Sequence, residues 1–195
     1  MIVVDVETTG LNPLKNSLVS IGAIDFSNPN EQFFQECRIW EGAHIEDEAL
    51  KVNGYTREQI CDMDKQSEGE LVRVFLAWVN NRLEHTVAGQ NPFVDVSFIQ
   101  AAASRDHFDF SLPHRIIDLH SITYFHMVKS GKTPPVRNKR TDLGSDTIMN
   151  YVGIPAEPKP HVAINGAIWE AEAFQRLFYD KSLFKQFSQY KIPWV

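Results

Sequence analysis

Hydrophobic residues are distributed along this chain with two different spacings, and each spacing predicts a different kind of element. Over residues 1–40, runs of β-branched and aromatic residues predict three strands, at 1–6, 18–24 and 33–40. A turn-forming Ser-Asn-Pro-Asn cluster at 27–30 separates the last two. Because the connections are short, we expect these strands to form an antiparallel meander.

Beyond residue 44, apolar residues three and four positions apart alternate with short apolar runs, which predicts helices interleaved with strands. The predicted helices lie at 45–52, 56–61, 68–83, 92–102, 121–128, 142–151 and 163–179, and the predicted strands at 86–89 and 116–119. Ser67 and Glu70 have the form of a capping box, and Asn91-Pro92 resembles an N-cap followed by proline at the first helical position. The pattern predicts an α/β fold in which helices flank a mixed sheet.

Composition narrows the class of protein. The length of 195 residues fits one domain, and two cysteines, Cys37 and Cys61, favour a reducing, cytoplasmic location over a disulfide framework. The N-terminus lacks signal-peptide features and no run approaches the ~20 apolar residues of a membrane span, so no membrane partner is expected. The net charge of −6 argues against general binding to nucleic acid, so a phosphate substrate would need metal ions or a local basic segment.

The first predicted strand delivers two acids two positions apart, Asp5 and Glu7, just before Gly10. Side chains at i and i+2 of a strand share one face, so the two carboxylates would repel each other unless a cation lies between them. The pair therefore indicates half of a divalent-metal site. The alternative is a strand end whose acids face water.

Two further residues are placed to join this pair. Asp95 lies in the first turn of a predicted helix, beyond the fourth strand, where the ligand crevice of such a sheet lies. Its alternative role is structural, because a helix dipole favours an acid at that position. His161 precedes the last helix and could exchange a proton near neutral pH, or could be a surface or capping histidine.

Three segments together resemble the motifs of the DEDDh exonucleases, the 3′→5′ enzymes that include polymerase III epsilon-like proteins and RNase T. They are Asp-Val-Glu-Thr-Thr-Gly at 5–10, Asn-Pro-Phe-Val-Asp at 91–95 and His-Val-Ala-Ile-Asn-Gly-Ala at 161–167. The resemblance extends over residues 2–178 and implies an RNase H-like fold, with an antiparallel meander of strands 1–3 and parallel strands 4–5. It implies an exonuclease domain at 1–180, and we expect 181–195 to be a short C-terminal extension packed on it.

The resemblance also implies residue roles. Asp5 matches the acid that bridges two metal ions, Mg²⁺ or Mn²⁺, and Glu7 matches a ligand of the first metal. Asp95 matches the acid that acts near the second metal, largely through water. His161 matches the general base that activates the attacking water. The implied reaction releases nucleoside 5′-monophosphates from the 3′ end of single-stranded DNA or RNA. It leaves a polymerase or other protein partner undetermined.

One position departs from the family pattern. The family has an aspartate five residues after the histidine, as a ligand of the first metal, and this chain has Gly166. Three interpretations follow. The chain is a deactivated or attenuated variant, natural or made to trap a complex; or Glu170, one helical turn further on, replaces the ligand; or the protein binds nucleic-acid ends without cutting them.

Substrate contacts are predicted after the first strand, beside Asp95 and in the basic segment 129–140. They are Thr8, Thr9, Gly10, Asn91, Phe93, Lys139 and Arg140. The basic segment could follow a phosphate backbone or be a solvated loop, and Phe93 could stack on a terminal base or belong to the core.

Overall fold

A five-stranded mixed sheet forms the centre of the molecule. The computed structural model describes residues 1–108 and 115–195. The strands are β1 (Ile2–Thr8), β2 (Leu18–Asp25), β3 (Gln32–Glu36), β4 (Val87–Gly89) and β5 (Ile116–Asp118), arranged in the order β3-β2-β1-β4-β5. The β1–β2 and β2–β3 pairs are antiparallel, whereas β1–β4 and β4–β5 are parallel. The predicted fold class, an antiparallel meander joined to two parallel strands, is therefore confirmed.

Helices cover both faces of this sheet. They are α1 (Asp47–Asn53), α2 (Arg57–Ile60), α3 (Glu68–Asn80), α4 (Phe93–Arg105), α5 (Leu119–Lys129), α6 (Ser145–Val152) and α7 (Ala163–Tyr179), followed by a 3₁₀ turn at Lys185–Phe187. Alternate residues of β1 enter two different cores, because a strand directs successive side chains to opposite faces. Ile2 and Val4 pack with α3 and α4, whereas Val3 packs with α6 and α7.

Three local predictions are corrected. The third strand ends at Glu36, because the backbone N–H of Arg38 donates to Gln66 instead of continuing along β2. Asn91 does not cap α4; it has a left-handed φ of 56°, and Pro92 occupies the N-cap position. The basic segment is not all loop, since it contains the end of α5 and a small hairpin, β6 (Val136–Arg137) and β7 (Arg140–Thr141).

Two glycines bring α7 close to the sheet, which decides where the site forms. A Cβ on Gly22 would overlap the backbone of Ala163, so the first turn of α7 lies directly against β2. Gly22 pairs with Asp5 across the β1–β2 ladder. A Cβ on Gly166 would overlap the Asp5 carboxylate. The absence of side chains at these two positions therefore seats the start of α7 over Asp5.

The other end of α7 is anchored by a buried ion pair. Glu172 Oε1 lies 2.7 Å from Arg176 Nε, and both side chains are fully buried. The second oxygen of Glu172 accepts the backbone N–H groups of Leu183 and Phe184, at 2.8 and 3.0 Å. Arg176 also donates to the carbonyl of Phe187, at 2.8 Å. These contacts hold residues 183–187 against α7, and the domain division at residue 180 remains a prediction.

Candidate active site

Strand β1 carries Asp5 and Glu7 to the edge of the sheet where β4 and β5 also end. The β1–β2 register shifts between Glu7 and Thr8, so the ladder becomes irregular directly after the second acid. Glu7 is buried, and Asp5 faces the first turns of α7. The two acids predicted from strand periodicity therefore lie at one end of one strand.

Asp95 lies beside them. Its Oδ1 accepts the backbone N–H of Val6, the residue between the two β1 acids, at 3.0 Å. The residue is in the first turn of α4 and is buried. Because β4 runs parallel to β1 and leads directly into α4, the helix start lies next to the end of β1. The structure thus brings Asp95 to the pair, as the motifs predicted.

Helix α7 contributes Glu170, which is 6% exposed. Its Oε2 is buried and makes no hydrogen bond to any group in the described part of the chain. The carboxylate approaches the end of β4, where a Cβ on Gly89 would lie 3.3 Å from Oε2. A carboxyl oxygen in this state is unusual, because buried polar atoms are nearly always hydrogen-bonded.

A fifth acid, Glu157, comes from the loop before α7 and was missed by sequence reasoning. Its Oε1 accepts the N–H of Val162 at 3.3 Å, and its Oε2 lies 3.8 Å from His161 Nδ1. It adds to the repulsion that raises the pKa of Glu7, so it is near that residue. His161 is therefore connected to the acid cluster through Glu157. No periodicity marks a single acid in a proline-rich loop, so the sequence carried no signal for it.

The pKa values of all five carboxyl groups are raised. Burial, followed by the repulsion of neighbouring acids, raises the pKa of Glu7 to about 8 and holds those of Asp5 and Glu170 well above their ordinary values. Burial raises the pKa of Asp95 to about 7, although the N–H of Val6 opposes the rise. Burial also raises the pKa of Glu157, against the effect of His161. Glu7 is therefore largely protonated at neutral pH unless a cation balances the cluster.

The donor set fits a divalent cation in its chemistry. Carboxylate oxygens are the ligands that Mg²⁺ and Mn²⁺ prefer, and the buried Glu170 Oε2 is an oxygen in need of a positive partner. With the side chains as they lie, no three His, Cys, Asp or Glu residues among 1–108 and 115–195 enclose an ion-sized space. The Asp5 carboxylate occupies the space that a side chain at position 166 would fill.

The predicted contacts after β1 line a cavity of about 330 Å³ beside Glu7. Its lining is Glu7, Thr8, Gly10, Leu11, Glu46, Glu48, Ala49, Val52 and Asn53. Thr8 and Gly10 belong to this wall, whereas the Thr9 hydroxyl is buried and donates to the carbonyl of His44 at 2.7 Å. Through this bond Thr9 positions the segment at His44, which leads to the cavity residues Glu46 and Glu48. A larger cavity of about 710 Å³, between Trp40 and Arg105, includes none of the five acids.

The remaining predicted contacts lie at the same sheet edge. Phe93 is 68% exposed, so the interpretation of Phe93 as a core residue is wrong. The N–H of Asn91 donates to Asp118 Oδ1, at the end of β5. Lys139 and Arg140 are exposed in the β6–β7 hairpin, whose Thr141 hydroxyl lies 2.8 Å from His120 Nε2. The hairpin is thus tied to the start of α5, two residues beyond Asp118.

Comparison with known proteins agrees with this architecture. The model of the RNase T family, described as exonuclease, matches residues 2–165. Exonuclease DPD1 of Arabidopsis thaliana, named as chloroplastic/mitochondrial, is 22% identical over 188 residues, which cover 94% of this chain and 57% of DPD1. The chain belongs to the RNase T exonuclease family, and the resemblance found in the three motifs is confirmed.

Solved structures show the same fold. The nuclease domain of 3′hExo, a DEDDh family member bound to rAMP, has a TM-score of 0.70 at 13% identity and covers 94% of both chains. Escherichia coli exonuclease I in complex with a dT13 oligonucleotide has a TM-score of 0.70 at 15% identity, covering 90% of this chain and 40% of that enzyme. In the described ranges, no helix is long and apolar enough to cross a membrane.

Proposed function

We propose that this protein is a 3′→5′ exonuclease that removes nucleoside 5′-monophosphates from single-stranded DNA or RNA ends. The observation that carries the proposal is that Asp5, Glu7 and Asp95 lie together at one edge of the sheet. Asp5 and Glu7 belong to β1, and Asp95 accepts a hydrogen bond from the N–H of Val6 between them. Membership of the exonuclease family supports the class of reaction. A cytoplasmic location remains part of the proposal, and the relative DPD1 is named for organelles.

Asp5, Glu7 and Asp95 would hold Mg²⁺ or Mn²⁺. Such ions supply charge neutralisation at the scissile phosphate and a more acidic water molecule. The protein itself positions the acids: β1 presents Asp5 and Glu7, and the Val6 N–H orients Asp95. Burial excludes bulk water from Glu7 and Asp95 and strengthens their interaction with any cation.

His161 is the proposed general base. Its Nδ1 faces Glu157 at 3.8 Å, which leaves Nε2 as the nitrogen available to a water molecule. A carboxylate beside Nδ1 can orient the imidazole ring and leave its other nitrogen for proton exchange. Proton transfer of this kind typically contributes ~10²–10⁴-fold to the rate.

The surface around the acids suits the end of a single strand. The cavity of about 330 Å³ beside Glu7 is within the size range of small-molecule sites, so it could receive the terminal nucleotide. The exposed Phe93 ring can stack on a base, because stacking needs only an accessible aromatic face. Lys139 and Arg140 place positive charge in the hairpin near the end of β5, where the phosphate backbone could pass.

The missing carboxylate at Gly166 affects the expected rate of 5′-monophosphate release. If Asp5, Glu7 and Asp95 were the whole acid set, the first metal would lose a ligand and the enzyme would be attenuated or would bind ends without cutting. In that case Gly166→Asp raises the rate of 5′-monophosphate release at least ~10-fold.

The test is a timed digestion of a 3′-labelled single-stranded oligonucleotide with Mn²⁺. We expect wild-type protein to release 5′-monophosphates, with loss of release in Asp5→Asn and retained release in Glu58→Gln, an exposed acid on α2. Shortening from the 5′ end, or equal release by Asp5→Asn, contradicts the proposal. End binding without release, in wild type and in Gly166→Asp, supports the non-cutting alternative.

A further inference from the structure

The acid that completes the proposed metal site lies on α7, one turn beyond Gly166. We infer that Glu170 supplies the carboxylate ligand that position 166 lacks, so that the Gly166–Glu170 pair is a displaced form of the family's ligand. This inference rests on the proposed function, because it concerns the same site. It replaces the attenuated-variant interpretation with that of a complete acid set.

Helix geometry makes the replacement feasible. Side chains on a helix tilt toward its N-terminus, so residue 170 covers the turn that contains residue 166. Glutamate is one methylene longer than aspartate, which extends its reach along the helix in that direction. The Asp5 carboxylate fills the space over Gly166, and Glu170 Oε2 lies beside Gly89, which leaves it room on the β4 side.

One oxygen of the Glu170 carboxylate has no structural partner in the portion of the chain that the structure describes, although a backbone hydrogen bond at Gln90 opposes the rise of the Glu170 pKa. Two residues further along α7, Glu172 is buried and each of its oxygens is hydrogen-bonded or ion-paired. Glu170 Oε2 is equally inaccessible and has no such partner among the described residues. Repulsion from Asp95 adds to the desolvation of Glu170, and Glu170 in turn is the strongest charged influence on Asp5. An unsatisfied buried acid facing other acids is destabilising unless it binds a cation.

Metal binding without nucleic acid provides the direct test. Mn²⁺ affinity is measured by titration calorimetry on the full chain for wild type, Glu170→Gln and the exposed-acid control Glu58→Gln. We expect Glu170→Gln to bind Mn²⁺ at least ~10-fold more weakly, and Glu58→Gln to match wild type within about 2-fold. Thermal unfolding in chelator at pH 8 should show Glu170→Gln at least as stable as wild type, since the variant loses a buried unpaired charge.

A double variant tests the displacement itself. Gly166→Asp alone should change Mn²⁺ affinity by less than about 3-fold, because a ligand is already present. Gly166→Asp combined with Glu170→Gln should regain most of the affinity that Glu170→Gln loses, since Asp5 can turn away from position 166. Asp5 is the group that the new side chain must displace.

Glu170→Gln with unchanged Mn²⁺ affinity overturns the inference, as does a folded double variant that binds no better than Glu170→Gln. Wild-type protein that binds no Mn²⁺ overturns the inference together with the metal-dependent function. Wild-type protein that binds Mn²⁺ through Glu170 but releases no 5′-monophosphate contradicts the proposed reaction and leaves the ligand assignment supported.

Discussion

Replacement of Glu7 by glutamine should stabilise the metal-free protein, and the stabilisation should grow with pH. The folded state raises the pKa of Glu7 from 4.5 to about 8, so between these pH values the folded chain keeps a proton that the unfolded chain has released. The free energy of unfolding therefore falls as the pH rises through this window. Each pKa unit corresponds to about 1.4 kcal/mol, which sets an upper limit of about 5 kcal/mol for wild type above pH 8.

Glu7→Gln removes this titration. In urea unfolding with chelator, the difference in unfolding free energy between Glu7→Gln and wild type should be small and constant below pH 4.5. It should increase by a few kcal/mol by pH 8.5, somewhat less than the limit because neighbouring acids relax when one charge is removed. Glu58→Gln, on the exposed face of α2, should show no such change.

Mn²⁺ should reduce the stability advantage of Glu7→Gln at pH 8, since wild type binds the ion and the variant binds it weakly. Ligand at 100 times its dissociation constant stabilises the folded state by about 2.7 kcal/mol. A difference between Glu7→Gln and wild type that stays flat from pH 4.5 to 8.5 in chelator would refute the view that Glu7 is held in a crowded, buried acid cluster.

Two other predictions concern different parts of the molecule. Arg176→Ala should cost about 3–5 kcal/mol in urea unfolding, because it leaves Glu172 buried without its cation; a loss below about 1 kcal/mol would contradict this. The double change Lys139→Ala and Arg140→Ala should weaken binding to single-stranded oligonucleotides of any sequence and reduce the slope of log affinity against log salt by about 1–2. The control variant Lys191→Ala changes an exposed lysine of the C-terminal segment and should leave that slope unchanged. If the slope of the hairpin variant also equals that of wild type, the hairpin does not contact the nucleic acid.

Local chemistry in the sequence was sufficient to predict several elements and to place two of the five clustered acids on one strand. The period of two along β1 placed Asp5 and Glu7 on one face, and the apolar spacing of 163–179 predicted α7 with its observed bounds. The capping box of Ser67 and Glu70 forms as predicted, because it depends on residues three positions apart. Asn91 failed as a cap because its backbone is left-handed and its N–H donates to Asp118, a residue 27 positions away that no local pattern reveals.

Tertiary structure decided which charges meet. The parallel placement of β4 beside β1 brings Asp95 to the Val6 N–H, and the contact of Gly22 with the start of α7 brings Gly166 over Asp5. Glu157 lies near Glu7 through a loop whose path depends on the whole fold. The sequence alone thus determined the family and the kinds of groups available, because strand and helix periods are local. Whether a given carboxylate is buried, paired or unsatisfied depends on neighbours distant in the chain, and that is why Glu170 became distinctive only in the folded protein.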